Sequence, residues 1–232
     1  GKTLEVVKRI PLSGHPNNIT VTPDGRKVYV AIVQAPGGVD VIDTSSLKNI
    51  KTVRTKGGIH NPYATADGKF VVAGSIQSSV ISVIDTQTDE IAWTLQMDRG
   101  VRPMALSKNP DGSTKWIFVQ LTDLNGFAVV DFATHKEIKR IENPDLPAGR
   151  SPVPEWATRA HPGPAGVGGS DASHGIAVTP DGKTLLVNSR LNNALYTYSL
   201  PDLRLEGSVF LGGKGAAWVT LTPDGKRAYV AN

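Results

Sequence analysis

Polar side chains that could bind a ligand or a metal ion recur at one position of a repeated sequence pattern. The position lies five residues before the threonine of a recurring turn of the type Thr-Pro-Asp-Gly. In the third unit, whose turn differs, Arg102 is taken as the equivalent residue. We call its occupants the polar column: Asn17, His60, Arg102, His174 and Ala217. Imidazole is a ligand for copper and zinc, and guanidinium binds anions. Because turn formation does not require histidine here, the polar column indicates an anion site or, with further ligands, a copper or zinc site.

A second group of candidates lies in an insertion that interrupts the repeat, from Asn143 to Ala172. Proline and glycine are so frequent there that we expect no regular secondary structure. Long loops of this kind are usually lids or binding loops, or they are disordered. We expect this loop to fold over the polar column as a lid, with Trp156 as a ligand contact and His161 as a third metal ligand. A mobile surface loop is the alternative.

The repeat that must position these residues is marked by a turn motif of the type Thr-Pro-Asp-Gly. Its aspartates are Asp24, Asp67, Asp111, Asp181 and Asp224, which are 43, 44, 70 and 43 residues apart. A constant period of roughly 40 to 50 residues is typical of propellers and solenoids. Asp-Gly between two β-rich runs predicts a hairpin with a type I′ turn, since glycine accepts the positive φ. Turn chemistry therefore explains these aspartates better than calcium binding, which needs denser oxygen ligands.

Each unit continues with a second hairpin, as in Val83-Ile84-Asp85-Thr86, and with a fourth β-rich run, as in Glu90-Ile91-Ala92-Trp93. No helical periodicity occurs, and four short strands per unit are typical of a propeller blade. The predicted fold is an all-β propeller of four-stranded antiparallel blades with about 43 residues per repeat. Residues 1–232 form one domain, or a fragment of one, with the insertion 143–172 between two blades.

Propeller geometry assigns the loops to two faces, because strands within a blade alternate in direction. The connections between blades, and those between the second and third strands, emerge on the face of the polar column. Arg190 follows a second strand and is a further candidate ligand contact on that face. The Asp-Gly turns emerge on the opposite face.

The motif Thr222-Pro223-Asp224-Gly225 followed by Tyr229-Val230-Ala231-Asn232, together with Val83-Ile84-Asp85-Thr86, resembles the YVTN-type β-propeller repeat of surface-layer-like and periplasmic proteins. The resemblance covers nearly the whole chain outside the insertion. It implies a propeller and a periplasmic or extracellular location, and it is weak for function. The family's proline before the polar column is kept at Pro16 but replaced by Ile59 and Ser173. Four blades and part of a fifth predict a fragment of a larger propeller, with seven blades expected.

Composition limits the remaining classes of function. The chain has no cysteine, which excludes disulfides and thiolate metal sites within it. It shows no apolar run of membrane-spanning length and no signal-peptide pattern at its start, so we expect a cytoplasmic protein or one whose signal has been removed. The net charge of +4 is dispersed, and specific nucleic-acid binding is not expected. Motifs of hydrolases and nucleotide-binding loops are missing, so no catalytic residue is assigned.

Two classes of function remain, and a lactonase-like hydrolase is a third possibility. The first is a non-catalytic extracytoplasmic propeller that binds a ligand or a protein partner at its central channel. Such a protein could be a component of a larger complex. The second is a copper- or zinc-dependent enzyme, such as an oxidoreductase, that uses His60, His174 and His161. The lactonase-like hydrolase is the third, although the polar column has no carboxylate. His60 and His174 could instead be structural rim residues, and Arg102 could pair with Asp123.

Overall fold

The computed structural model describes residues 3–145, 172–211 and 216–231, and in these ranges the chain forms 18 strands and no helix. Four sheets have four antiparallel strands each, in chain order. The first blade contains β1 (Pro16–Val21), β2 (Lys27–Ile32), β3 (Gly38–Asp43) and β4 (Lys48–Val53). The second contains β5 (Asn61–Ala64), β6 (Phe70–Gly74), β7 (Val80–Asp85) and β8 (Glu90–Gln96).

The remaining strands follow the same plan. The third blade contains β9 (Val101–Lys108), β10 (Thr114–Leu121), β11 (Gly126–Asp131) and β12 (Lys136–Glu142). The fourth contains β13 (Ser173–Val178), β14 (Thr184–Ser189), β15 (Ala194–Ser199) and β16 (Leu205–Phe210). A two-stranded sheet follows, with β17 (Trp218–Leu221) and β18 (Ala228–Ala231). The strands β1, β5, β9, β13 and β17 pack side by side in chain order, which makes them the innermost strands of successive blades. The prediction of a β-propeller is thereby confirmed.

The hydrophobic core lies between neighbouring blades. One cluster joins the first two blades through Tyr29 and Val71, and the next joins the second and third through Val83 and Met104. A third, which contains Phe118, joins the third and fourth. The middle strands of the second and third blades are apolar on both faces because both faces meet another blade, while the other face of the first blade packs against Ile10 and Leu12. Full burial of one such side chain stabilises the fold by about 1.5 to 3 kcal/mol.

The Asp-Gly turns form as predicted in position but not in type. Only the glycine of each pair has positive φ, at +70° in Gly25, and the Gly25 N–H donates to the Thr22 carbonyl at 2.8 Å. This is a type I turn followed by a left-handed glycine. A type I′ turn would need positive φ at Asp24 as well, whereas Pro23 suits the first central position of a type I turn. Ala66 takes that position in the second unit, where the Gly68 N–H donates to the Thr65 carbonyl at 2.9 Å. Thr22 Oγ1 donates to Asp24 Oδ1 at 2.6 Å, and this hydrogen bond lowers the pKa of Asp24.

The third unit departs from this pattern by four extra residues, two before its Asp-Gly pair and two after it. Ser107 takes the role of the turn threonine, since its Oγ accepts the Trp116 N–H at 3.3 Å, as Thr22 Oγ1 accepts the Lys27 N–H at 3.1 Å. Arg102 lies five residues before Ser107. The hydrogen bonding therefore supports its alignment with the polar column.

The outer hairpins have their own recurrent turn. Asp43 Oδ1 accepts hydrogen bonds from the hydroxyl of Ser45 and from both the hydroxyl and the N–H of Ser46. The hydroxyl of Ser45 is the largest cause that lowers the pKa of Asp43, to about 2. The turn ends at Leu47, whose φ is +52°, and the corresponding residues are Asp89, His135 and Leu203.

One of these turn residues links two blades by a buried ion pair. Asp89 of the second blade accepts hydrogen bonds from Tyr29 Oη at 2.5 Å and from Lys27 Nζ at 2.6 Å, both on β2. Burial, followed by the hydrogen bond to Asp89, raises the pKa of Tyr29. Since removal of one partner would leave a buried charge unpaired, this contact fixes the first blade against the second.

Gly58→Ala tests the close approach between the first blade and the connection to the second. A Cβ at Gly58 would meet the Val33 carbonyl oxygen at 2.1 Å, so the backbone must shift. We expect a loss of roughly 2 kcal/mol or more in the free energy of unfolding, measured by urea denaturation. Gly207→Ala is the control, because the nearest atom there is at 4.0 Å. An equal loss in both variants would contradict the packing.

Asp43→Asn tests the outer turn through pH. The folded pKa of Asp43, about 2, lies below the ordinary 3.8, so the carboxylate contributes stability above the ordinary value. That contribution is lost as pH falls from about 4 towards 2. The stability difference between wild type and Asp43→Asn should therefore shrink over this range, in urea denaturation at a series of pH values. A difference that is constant with pH would show that the Asp43 carboxylate is not stabilised in its charged form.

Candidate functional site

The polar column lies at one end of the innermost strands. His60 and Ala217 immediately precede β5 and β17, and Asn17, Arg102 and His174 are the second residues of β1, β9 and β13. The repeat pattern predicts that these residues immediately precede the innermost strands; two of them do so, and three lie at the second position of their strand. All five still occupy equivalent positions, because the units share their register.

Two members of the column bind the backbone of the next blade. Asn17 Nδ2 donates to the carbonyl of His60 at 2.7 Å, and His174 Nδ1 contacts the carbonyl of Ala217 at 3.0 Å. Both contacts run from one column residue to the next, across 43 residues of sequence. A side chain at this position therefore joins neighbouring blades, which supports the structural interpretation for Asn17 and gives His174 a structural role as well.

The environment of His174 also fixes its chemistry. A carbonyl can only accept, so Nδ1 carries a proton, and in the neutral imidazole Nε2 carries the lone pair. Trp218 packs edge-on against the imidazole, with ring centroids 4.8 Å apart. His174 is only 8% exposed, whereas Trp218 is 41% exposed.

His60 has a different partner. Its Nδ1 makes a short hydrogen bond with Oδ1 of Asn61, the first residue of β5. Asn61 is 2% exposed, and its Nδ2 has no hydrogen-bond partner. Since a buried amide without a partner is destabilising by about 1 to 3 kcal/mol, a polar ligand or water beside His60 would relieve it.

Arg102 is the buried charge of the column. It is 5% exposed, and its Nε donates to the Thr122 hydroxyl at 3.1 Å. Thr122 follows β10, so it lies on the face that carries the connections between second and third strands. A guanidinium carries a permanent positive charge and five N–H donors, so its position at the start of an innermost strand suits recognition of an anion.

Two fully buried amides continue this polar surface, at equivalent positions of β10 and β14. Gln120 Nε2 donates to the Gly175 carbonyl at 3.2 Å, while its Oε1 has no partner. Asn188 has no partner at either side-chain polar atom. Both residues are 0% exposed. The orphan atoms require water or a ligand.

Sequence reasoning missed these amides. The signal was present, because the equivalent positions of the first two blades hold Ala31 and Gly74. An amide at an interior strand position that elsewhere is small and apolar indicates a polar interior at that blade junction.

The ends of the insertion are attached to the fourth blade. Pro144 O accepts hydrogen bonds from Tyr196 Oη at 2.7 Å and from Asn192 Nδ2 at 3.2 Å. At the other end, the Ala172 carbonyl accepts the N–H of Arg190 at 3.0 Å. Arg190 is half-buried on the β14–β15 connection. Trp156 and His161, and with them the predicted lid, lie outside the described residues.

One observation supports the hypothesis of a metal site, and another argues against it. The tautomer of His174 is the one that metal-binding histidines show, with Nδ1 bonded to a carbonyl. Within residues 3–145, 172–211 and 216–231, however, no three His, Asp or Glu side chains form a group that could hold a metal ion. His60 and His174 alone supply fewer ligands than the three or four of a tight site. The described residues also contain no helix able to cross a membrane.

Solved β-propellers share this architecture. The β-propeller domain of Cps50 (Swd1) from Myceliophteria thermophila has a TM-score of 0.72 at 16% identity, over 95% of this chain and 62% of that chain. The hydrazine synthase of Kuenenia stuttgartiensis has a TM-score of 0.58 at 22% identity, over 100% of this chain and 84% of that chain. Such identities show the fold alone. No protein-family model and no curated protein matches the sequence, so the YVTN resemblance stays a prediction.

His174→Gln and His174→Leu separate the structural role of this residue from a ligand role. Glutamine keeps a donor that can reach the Ala217 carbonyl, whereas leucine leaves that carbonyl without it. We expect His174→Leu to lower the free energy of unfolding by about 1 kcal/mol more than His174→Gln, in urea denaturation. Equal losses in the two variants would show that the hydrogen bond to Ala217 contributes nothing.

Proposed function

We propose that this chain is a non-catalytic propeller that binds a ligand or a protein partner, through an anionic group, at the face of the polar column. The buried guanidinium of Arg102 carries the proposal. It lies at the end of an innermost strand, between the strands that position His60 and His174. Arg190 on the same face is a further contact.

The orphan amide atoms of Asn61, Gln120 and Asn188 support a polar occupant on this surface. They add both donors and acceptors beside the charged column. A group such as a carboxylate, which accepts from Arg102 and leaves a polar rim for other contacts, matches this set. Neither fold neighbour decides the role, since one is a propeller domain and the other an enzyme.

We further propose a periplasmic or extracellular location and membership of the YVTN-type family. Both rest on the resemblance of the repeats, above all Tyr229-Val230-Ala231-Asn232 and Val83-Ile84-Asp85-Thr86. Protease protection of the protein in intact host cells tests the location. Resistance to external protease in intact and in outer-membrane-permeabilised cells alike would contradict it.

A copper- or zinc-dependent enzyme is the second candidate, because the tautomer of His174 favours metal binding through Nε2. His60 would be its partner ligand, and further ligands must come from elsewhere. A lactonase-like hydrolase gains no observation, since the polar column has no carboxylate.

Arg102→Gln tests the anion site by thermal unfolding in a panel of citrate, oxalate, phosphate and sulfate at constant ionic strength. An anion at 100 times its Kd stabilises a protein by about 2.7 kcal/mol, which raises Tm by several degrees. We expect at least one anion to raise the Tm of wild type, and this increase to vanish in Arg102→Gln. Arg140→Gln is the control, because Arg140 lies on β12 and pairs with Asp98 at 2.9 Å. An increase that persists in Arg102→Gln would contradict the proposal.

Elemental analysis of protein purified without chelator separates the two candidates. Metal near one equivalent in wild type, lost in a His60→Ala, His174→Ala double variant, would favour the enzyme. If wild type contains no metal, a metal-dependent enzyme that uses these residues is excluded, and the binding role remains. The outcome of the elemental analysis is independent of the anion panel, because the double variant retains Arg102.

A further inference from the structure

We propose a second ligand site on the opposite face, between the third and fourth blades, that binds a small aromatic carboxylate. Two adjoining hollows of about 170 and 100 Å³ lie there. They share Ser107, Lys108 and Gly182 in their walls. The larger is completed by Lys115, Trp116, Leu200 and Pro201.

The walls combine positive charge with apolar surface. Lys108 and Lys115 both line the larger hollow, and no acidic side chain lines either hollow among the described residues. Lys115 Nζ lies 4.2 Å from the centroid of the Trp116 ring, so its charge is held at the indole. This arrangement favours an anion beside a flat apolar group.

The nearby aspartates are committed to their own turns. Asp111 accepts the Ser113 hydroxyl and N–H, and Asp181 accepts the Thr179 hydroxyl. Asp131 is bonded to the N–H and hydroxyl of Thr134, which lower its pKa first, with Lys115 as a smaller cause. These carboxylates reduce the local positive charge but do not enter the hollows.

The site arises where the third unit departs from the repeat. Its turn has four extra residues, and Ser107 stands where the other units have threonine. Trp116 occupies the position of Lys27, Phe70 and Thr184. The other units form their turns without these changes, so the turn itself does not require them.

The dimensions limit the ligand. A cavity of about 150 Å³ holds a benzene ring, and the larger hollow has about 170 Å³. One aromatic ring therefore fits against Trp116, Leu200 and Pro201, with its carboxylate towards Lys108 and Lys115. The smaller hollow leaves room for a substituent.

The test uses 4-fluorobenzoate as the probe, followed by fluorine NMR line broadening with the purified protein. We expect binding with a Kd of about 1 mM or tighter, which a ligand of this size can reach. The neutral 4-fluorobenzamide should bind roughly tenfold more weakly, as should the probe to a Lys108→Gln, Lys115→Gln variant, through loss of charge-assisted hydrogen bonds. Trp116→Thr installs the residue of the fourth unit, and it should also abolish the broadening.

Lys226→Gln is the matched control, because Lys226 holds the same turn position in the last unit as Lys115 in the third. It should bind the probe like wild type. Equal binding of the neutral amide, unchanged binding by the double lysine variant, or no broadening at about 5 mM probe would each overturn the proposal. Dispersed amide spectra of every variant establish that lost binding is not lost folding.

Discussion

The packing of flat blades against each other is the constraint on which the rest of the structure depends. A four-stranded sheet with two apolar faces cannot remain alone in water, and each described blade buries its second and third strands against a neighbour. The effect of a neighbour is visible at one repeated position of the innermost strand. Met104 is 1% and Ile176 8% exposed, whereas Ile19 in β1, which no preceding blade covers among the described residues, is 59% exposed. Burial at this position thus comes from the adjoining blade and not from the sheet itself.

The same constraint shapes the polar column. A residue at the start of an innermost strand lies beside the backbone of the next blade, so a donor there can bind a carbonyl that would otherwise be unpaired. Asn17 and His174 do this with different side chains, and Ala217 provides only the carbonyl. The contact therefore tolerates several residue types, and it does not explain a buried guanidinium at Arg102 or an imidazole at His60. Those two residues carry the functional argument because the structural role can be met without them.

The sequence predicts the blades, their order and the faces on which loops emerge, because the same pattern recurs in five units. The Asp-Gly motif located these turns in the described residues, although they are type I turns followed by a left-handed glycine and not type I′ turns. The partners of His60 and His174 were beyond the sequence, since both depend on the register between blades. Gln120 and Asn188 were missed because a single amide within an apolar strand has no local pattern. The insertion was predicted as a boundary, and the bonds of Tyr196 and Arg190 to its ends could not be read from a segment without periodicity.

In a repeat protein, residues at equivalent positions of the units can be compared to find those that serve function. Residues common to all units explain the turn or the blade junction, as Thr22 and Asp24 do through mutual hydrogen bonds. A residue that departs from its equivalents without a structural need is a better functional candidate than a residue that is merely polar. By this criterion Arg102 and Trp116 are the strongest candidates on the two faces, and both belong to the third unit. The extra residues lie between Ser107 and Trp116, so they enlarge the turn next to Trp116. Leu106 still pairs with Ile117 as Val21 pairs with Val28, and Arg102 therefore keeps its place in the polar column.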